Sequence, residues 1–162
     1  MVPVGTVLAR IRSEAQFMTA VYEHSAPEPD WANGLRRPVA ESANSSFGTR
    51  SVFNGEPRSP HAGTDFLSPA GTPIAAPAAG RIVGARELFF TGNTVIIDHG
   101  LGVFSMLAHL SRIDVHEGDA VQAGDILGLV GATGRVTGPH LHWAVRLNGT
   151  RVDPLSLLAV VK

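Results

Sequence analysis

Two short stretches carry side chains that can do chemistry together. Pro60–Asp65 reads PHAGTD and sets His61 and Asp65 four residues apart. Gly138–Trp143 reads GPHLHW and sets His140 and His142 two apart. Imidazole and carboxylate are ordinary zinc ligands, and three protein ligands with an open water position make the catalytic form of a zinc site. If residues 141–147 are a strand, His140 and His142 share a face, roughly 6.5 to 7 Å apart along it, and Leu141 points the other way into a core. His61 and Asp65 also share a face if their segment is extended; Pro60 and Gly63 argue against a helix there. His61, Asp65 and one member of the His140/His142 pair therefore supply three ligands. The other member can reach a bound water or a substrate. The chain has no Cys, which excludes thiolate ligands, a closed Cys-rich zinc finger, disulfides and a cysteine nucleophile.

The remaining histidines divide by context. His24 and His116 lie in polar, loop-like sequence and are read as surface residues. His99 ends one predicted strand before Gly100, and His109 closes another before Leu110. Either can approach the two motifs, and spacing does not choose between them.

The elements that must position these groups are mostly short and apolar. RIVGA (81–85), NTVIIDH (93–99), GVFSMLAHL (102–110), DILGLVG (125–131) and LHWAVRL (141–147) alternate with Gly and Pro punctuation and read as strands. Such a series predicts an all-β sandwich or partly open barrel. PAGTPIAAPAAGRIVG and HEGDAVQAGDILGLVG share one layout, a Gly turn, a short apolar segment, a second Gly turn and a strand, which predicts an internal β repeat. Residues 153–161, DPLSLLAVV, predict a short terminal helix with Asp153 as cap and Pro154 at its first position.

Upstream, Val7, Leu8, Ile11, Ala15, Met18 and Val21 or Tyr22 recur at helical spacing over residues 7–22 and predict an amphipathic helix packed on its own domain. Residues 25–46 are rich in Pro, Ser, Asn and Ala without periodicity and read as a linker or extended strap. The organisation predicted is a helix and strap over residues 1–46 and a β domain over 47–162.

Composition narrows the classes. Hydrophobic residues make up 44% and charged residues 17%, an ordinary globular balance. A net charge of −1 leaves no large basic field for nucleic acid. No apolar run reaches the length of a membrane span. MVPVGTVLARIRSE lacks the basic start, apolar stretch and cleavage site of a signal peptide, so the expectation is either a cytoplasmic protein or a leader removed or lying outside this chain.

With those residues in view, SPHAGTDFLSPAGTPIAAPAAGRIV, GNTVIIDHGLGVFSMLAHLS, VHEGDAVQAGDILGLVGATGRVTGPHLHWAV and NGTRVDP resemble the lysostaphin/LytM-type zinc metallopeptidases that cut peptidoglycan peptides. The resemblance runs from about Phe47 to Pro154. It implies an all-β fold, an antiparallel sheet with a loop-lined groove (a duplicated hybrid motif of the lysostaphin kind) and zinc on the groove floor. It implies His61, Asp65 and His142 as zinc ligands, His140 and His109 as catalytic residues, and a structural role for His99. One departure stands out: the family often has Tyr two residues before the A-H-L histidine, where this chain has Leu107, so an auxiliary tyrosine contact to substrate is in doubt. The implied substrate is the peptide stems and cross-links of peptidoglycan. The FNGEPRSPH lead-in resembles proteobacterial members and favours D-Ala–diaminopimelate links over glycine bridges. The implied location is periplasmic, cell-envelope or extracellular, and the chain is expected to be a monomer. Arg50, Arg58 and Arg135 are candidates to line the groove for acidic stem peptides. Asn33 or Asn44 in the upstream segment can in principle reach the metal and block it.

Three other readings match parts of the sequence. Biotinyl and lipoyl carrier hairpins resemble HEGDAVQAGDILGLVG, but they need a Lys at the tip, and the only Lys is Lys162. A phosphocarrier of the sugar phosphotransferase type would use a pair of His but would not need Asp65 beside His61. A non-catalytic or latent peptidase-like domain that binds and activates another cell-wall hydrolase would have lost ligands, and this chain has not.

Overall fold

The computed structural model describes residues 4–27, 29–31, 34–41, 43–45, 52–53, 56–57, 63–134, 136, 138–155 and 157. After helix α1 (Val4–Glu23) come β1 (Ala43–Ser45), β2 (Val52–Phe53), β3 (Glu56–Pro57), β4 (Thr64–Phe66), β5 (Pro73–Ala75) and β6 (Gly80–Leu88). They are followed by β7 (Gly92–Gly100), β8 (Val103–Ile113), β9 (Ala120–Val121), β10 (Ile126–Val130), β11 (Leu141–Leu147) and β12 (Thr150–Val152). Strands β2 and β3 form a hairpin of their own, and the others make one antiparallel sheet in the order β1-β4-β11-β8-β7-β6-β9. Strand β10 joins β5 to β8, and β12 pairs with β11. The fold is thus all-β with one N-terminal helix, as the strand pattern and the family resemblance imply.

The sheet forms where sequence alternation is strongest. In β11, Leu141, Trp143 and Val145 are fully or almost fully buried and face the core. His142, Ala144 and Arg146 take the opposite face by strand parity. Phe66 packs against Trp143 with ring centroids 6.5 Å apart. Around them Ile74, Ile82, Val95, Ile97, Leu107, Leu110, Leu127 and Val130 close one cluster. Burying side chains of this size stabilises by about 1.5–3 kcal/mol each before conformational entropy is subtracted.

The sequence repeat becomes a reciprocal pairing. Strand β5 of the first copy pairs with β10 of the second, and β9 of the second pairs with β6 of the first. Backbone bonds follow the same exchange: Ala76 N–H donates to Asp125 O and Gly124 N–H to Ala76 O, at 2.8 and 2.9 Å.

Helix α1 lies on the sheet through one stripe. Its partly buried positions are Val7, Arg10, Ile11, Glu14, Phe17, Met18, Val21 and Tyr22, while Leu8 is 53% exposed and Ala15 is exposed. The stripe is therefore rotated from the apolar set read in the sequence, because Arg10 and Glu14 dock too. Glu14 accepts from the Phe89 N–H at 2.7 Å and pairs with Arg10 at 2.8 Å. The Arg86 guanidinium sits 3.7 Å from the centroid of Phe17. Nearer its end α1 sets Tyr22 edge-on to Phe104 of β8, with centroids 5.0 Å apart.

The strap is anchored by backbone bonds that no periodicity announces. Asp30 N–H donates to His99 O, Leu101 N–H to Ala26 O, Arg36 N–H to Pro77 O and Ala75 N–H to Pro38 O. Its last described segment is β1, paired with β4 in the main sheet. Of the predicted terminal helix, Pro154, Leu155 and Leu157 are helical, and Leu155 N–H donates to Asp153 Oδ1 at 3.0 Å in the expected cap.

Candidate active site

Strand pairing brings half of the sequence motifs together directly. Asp65 of β4 and His142 of β11 are opposite partners in the antiparallel ladder, so their side chains rise from the same face. His142 Nδ1–H donates to Asp65 Oδ1 at 2.8 Å. His140, just before β11, is held by a bridge to Gly131 and places Nε2 3.8 Å from the same Asp65 oxygen. The Asp65 and His142 side chains are 21% and 14% exposed, low enough to strengthen their interaction and high enough for a ligand to enter. His61 lies outside the described residues, as do Asn33, Arg50, Arg58 and Arg135; the side chain of Asn44 does too. Among the described residues alone, no set of three His, Asp or Glu is arranged to hold a metal ion.

Gly63 explains why the first motif carries glycine between His61 and Asp65. A Cβ there would stand 2.5 Å from Trp143 O, 2.9 Å from His142 Cε1 and 3.0 Å from His142 Nε2. Any side chain would push the His142 ring away from Asp65.

His109 reaches the site by a device that parity does not reveal. Leu107 and Leu110 of β8 are both fully buried, although three residues apart, because an irregularity is inserted between them. His109 absorbs it with φ 68°, in the left-handed region that a non-glycine residue rarely adopts. The turn carries the imidazole to the site, with its centroid 4.8 Å from that of His140 and 6.2 Å from that of His142.

The two outer histidines are held alike. His109 Nδ1 lies 2.8 Å from Thr133 O, and His140 Nδ1 lies 3.0 Å from Gly138 O. A carbonyl only accepts, so each Nδ1 carries the proton and each Nε2 presents its lone pair. Among the described residues neither Nε2 makes a hydrogen bond. Burial pushes His109 down to about 4, against the opposing pull of the Thr133 carbonyl, so its ring is neutral at neutral pH.

Thr133 is a positioning residue with no signal in the sequence. Its hydroxyl donates to Leu110 O at 2.6 Å and accepts from Asn93 N–H at 3.0 Å, while its carbonyl holds His109. Next to it, Gly134 has φ 83°, and a Cβ there would lie 2.5 Å from Gly92 N and 2.7 Å from Phe90 O, so the loop seats directly on the β6–β7 turn.

His99 does something else. Its Nδ1–H donates to Ala79 O and its Nε2 accepts from Ser105 Oγ, both at 2.8 Å, while Trp143 Nε1–H donates to the same Ser105 oxygen at 3.1 Å. Fully buried and bonded at both nitrogens, it ties β7, β8 and β11 together.

A sheet of this topology with carboxylate and imidazoles meeting across β4 and β11 is that of a lysostaphin-like peptidase. The sequence profile of "Peptidase family M23" matches residues 59–154, and the chain belongs to that family. It is 45% identical over 97 residues to the DD-carboxypeptidase/endopeptidase Mpg of Neisseria meningitidis, a match covering 60% of this chain and 22% of that protein. It is 44% identical over 96 residues to the peptidoglycan DD-endopeptidase ShyA of Vibrio cholerae, covering 59% of this chain and 22% of that protein. The match thus spans about a fifth of the length of these relatives. A crystal structure from Pseudomonas aeruginosa assigned to the same peptidase family superposes with TM-score 0.83 at 44% identity, covering 96% of this chain and 64% of that one. The catalytic domain of lysostaphin from Staphylococcus simulans superposes with TM-score 0.66 at 31% identity, covering 82% of this chain and 98% of that one.

Proposed function

We propose that this chain is a zinc metallo-endopeptidase that hydrolyses peptide cross-links or stem peptides of bacterial peptidoglycan. The observation that carries the reading is the cross-strand pair Asp65–His142, with the Nε2 faces of His140 and His109 turned to the same place. Residues 47–162 are the peptidase domain in this reading and residues 1–46 its helix and strap. The endopeptidase names of the relatives support the substrate class, and a substrate of that kind places the work in the periplasm or cell envelope.

The donor set suits zinc. Asp65 Oδ1 and His142 Nδ1 converge from rigid neighbouring strands, and Gly63 keeps any side chain from pressing on the His142 ring. His61, Asp65 and His142 would hold the ion, and a bound zinc lowers the pKa of water and polarises a carbonyl. His142 would bind through Nδ1 as the other tautomer, with its one ring proton carried on Nε2. His140 and His109 handle the reaction's own proton. One Nε2 lone pair accepts it from the attacking water as the C–O bond forms; the same imidazolium then donates it to the leaving amine as the C–N bond breaks. The other imidazole, whose Nε2 also presents a lone pair, accepts the second O–H of the attacking water and orients it. Thr133 O and Gly138 O keep both rings in the tautomer this requires.

Digestion of purified sacculi by the zinc-loaded chain, against a chelated control, tests the reading by mass spectrometry of the released fragments. Chelator-sensitive release of cut cross-links is the expected result. Zinc bound in stoichiometric amount with no bond cleaved in sacculi or soluble stem peptides would overturn it.

A further inference from the structure

The face of the sheet that carries His142 continues past the proposed metal centre into a cavity that no role above has used. It encloses ≈ 200 Å³ and is lined by His142, Ala144, Met106, Arg146 and Arg151, with Met18 and Tyr22 of α1 as its roof. Resting on the endopeptidase reading, we propose that this cavity is the subsite for a carboxylate on the bound peptide, held by Arg146 and Arg151.

The argument begins with strand register. Arg146 of β11 and Arg151 of β12 are direct cross-strand partners. Directly opposed residues share a face, and like charges in that position destabilise a sheet. Among the described residues neither makes an ion pair that would offset this. Asp98, Asp153 and Asp65, the acidic residues on or next to the neighbouring strands, are engaged elsewhere. Asp98, on the same face of β7, accepts from Ser25 Oγ, Ala26 N–H and Gly100 N–H at 2.7, 2.8 and 2.9 Å. Asp153, beyond β12, caps Leu155. Asp65 faces His142. The two arginines therefore line one cavity that has no acidic side chain among its lining residues, and the partner it suits is an anion.

The site is also prepared for it. The Arg146 guanidinium lies 4.2 Å from the centroid of Tyr22, which holds its plane by a cation–π contact while Tyr22 is itself wedged on Phe104. A guanidinium fixed in advance loses little freedom on binding, and its planar fork matches the two oxygens of a carboxylate. Arg151 is exposed and can close on the ligand from the open side.

Distance makes the anion part of the substrate. Arg146 is four residues from His142 along β11, about 13 Å at the rise of a strand. Its side chain reaches back into a cavity that His142 itself lines. An extended peptide advances about 3.3–3.6 Å per residue, so a carboxylate held here belongs to a residue roughly two to four positions from the scissile bond. Arg50, Arg58 and Arg135, the groove candidates of the sequence, lie outside the described residues; Arg146 and Arg151 are described at this cavity.

The test uses the full, zinc-loaded chain and N-acetylated, C-amidated alanine hexapeptides that carry one Glu, or one Gln, at each position in turn. Binding is measured by calorimetry. At one position Glu should bind about tenfold more tightly than Gln, the size of a charge-assisted bond. Arg151→Gln should bring the two peptides close to parity, and Arg151→Glu, an exposed change that leaves the fold intact by circular dichroism, should turn the preference toward a Lys peptide. Equal affinity for Glu and Gln at every position, including no binding of either, overturns the proposal, as does a Glu preference that survives both variants. Cleavage of sacculi is read separately. Loss of the subsite leaves chelator-sensitive hydrolysis in place, and loss of the peptidase reading leaves the Glu preference in place.

Discussion

His99 on β7 and the cluster of His109, His140 and His142 on β8 and at β11 sit in one sheet, yet they are built to opposite ends. His99 directs both ring nitrogens into the protein, to Ala79 O and Ser105 Oγ. His109 and His140 each give one nitrogen to a backbone carbonyl and turn the other to the site. Burial is no guide to the difference, since His99 is fully buried and His109 is only 7% exposed. What separates a structural histidine from a working one in this sheet is the destination of the second nitrogen.

Substitution should break the comparison cleanly. The largest effect is expected at His140→Ala, which should lower kcat by about 10²–10⁴-fold while zinc, measured by atomic absorption, stays bound. Retained activity in that variant would remove the proton-transfer role given to His140. At His99→Leu the loss should fall on stability. Ala79 O and the Ser105 hydroxyl lose their partner in the core, which costs about 2–4 kcal/mol in urea denaturation, with kcat per folded molecule within about twofold of native. A collapse of turnover in a folded His99→Leu chain would mean the two clusters are not separable.

Thr133→Val sharpens the contrast from the second layer. It leaves Asn93 N–H without its acceptor and should cost about 1–2 kcal/mol of stability. Because the same residue's carbonyl holds His109, kcat should fall about tenfold with KM little changed. Asn93→Ala, which removes only the side-chain bond to Leu110 O, should leave kcat nearer native.

The smallest effect is in pH. Burial holds His99 below its ordinary value of 6.5. Below about pH 6.5 the unfolded chain therefore takes up a proton at this position that the folded chain refuses, and stability falls as pH falls. Denaturation midpoints measured from pH 7.5 down to 5 should decline, and His99→Leu should flatten that decline. A native chain and a variant with parallel pH profiles would show that His99 is not the group responsible.

Much of this was legible in the sequence, and the exceptions have physical causes. The strand read over residues 141–147 is β11 to the residue, because Leu141, Trp143 and Val145 alternate with His142, Ala144 and Arg146 without interruption. The readings 81–85 and 93–99 fall inside β6 and β7, and the reading 102–110 starts one residue before β8 and stops three short of its end. The three-residue strands β1, β4 and β5 were not read as strands, since so few residues hold no periodic signal; β4 matters most, for it sets Asp65 opposite His142. The role of His99 followed from the family resemblance, and its bonds to Ala79 and Ser105 supply the physical reason. The aim of His109 came from the family resemblance and not from spacing: by parity it should have followed Leu107 into the core, and only the irregularity at φ 68° turns it out. Nor could Thr133 be singled out, because its part is played by a backbone carbonyl, which every residue has.

The reciprocal pairing of the repeat bears on the order in which the molecule can assemble. Ala75 finds its partner in Ile126, and Gly80 finds its partner in Val121, so neither copy has a complete sheet until the other has been synthesised. Contacts of such long sequence separation close slowly, after loop entropy has been overcome. Asp65 waits longer still, for His142. A ribosome-bound or truncated chain that stops before β11 has half of the proposed metal pair and no way to complete it. Metal retention would then report on assembly: the proposed site stays incomplete until β11 is in place beside β4.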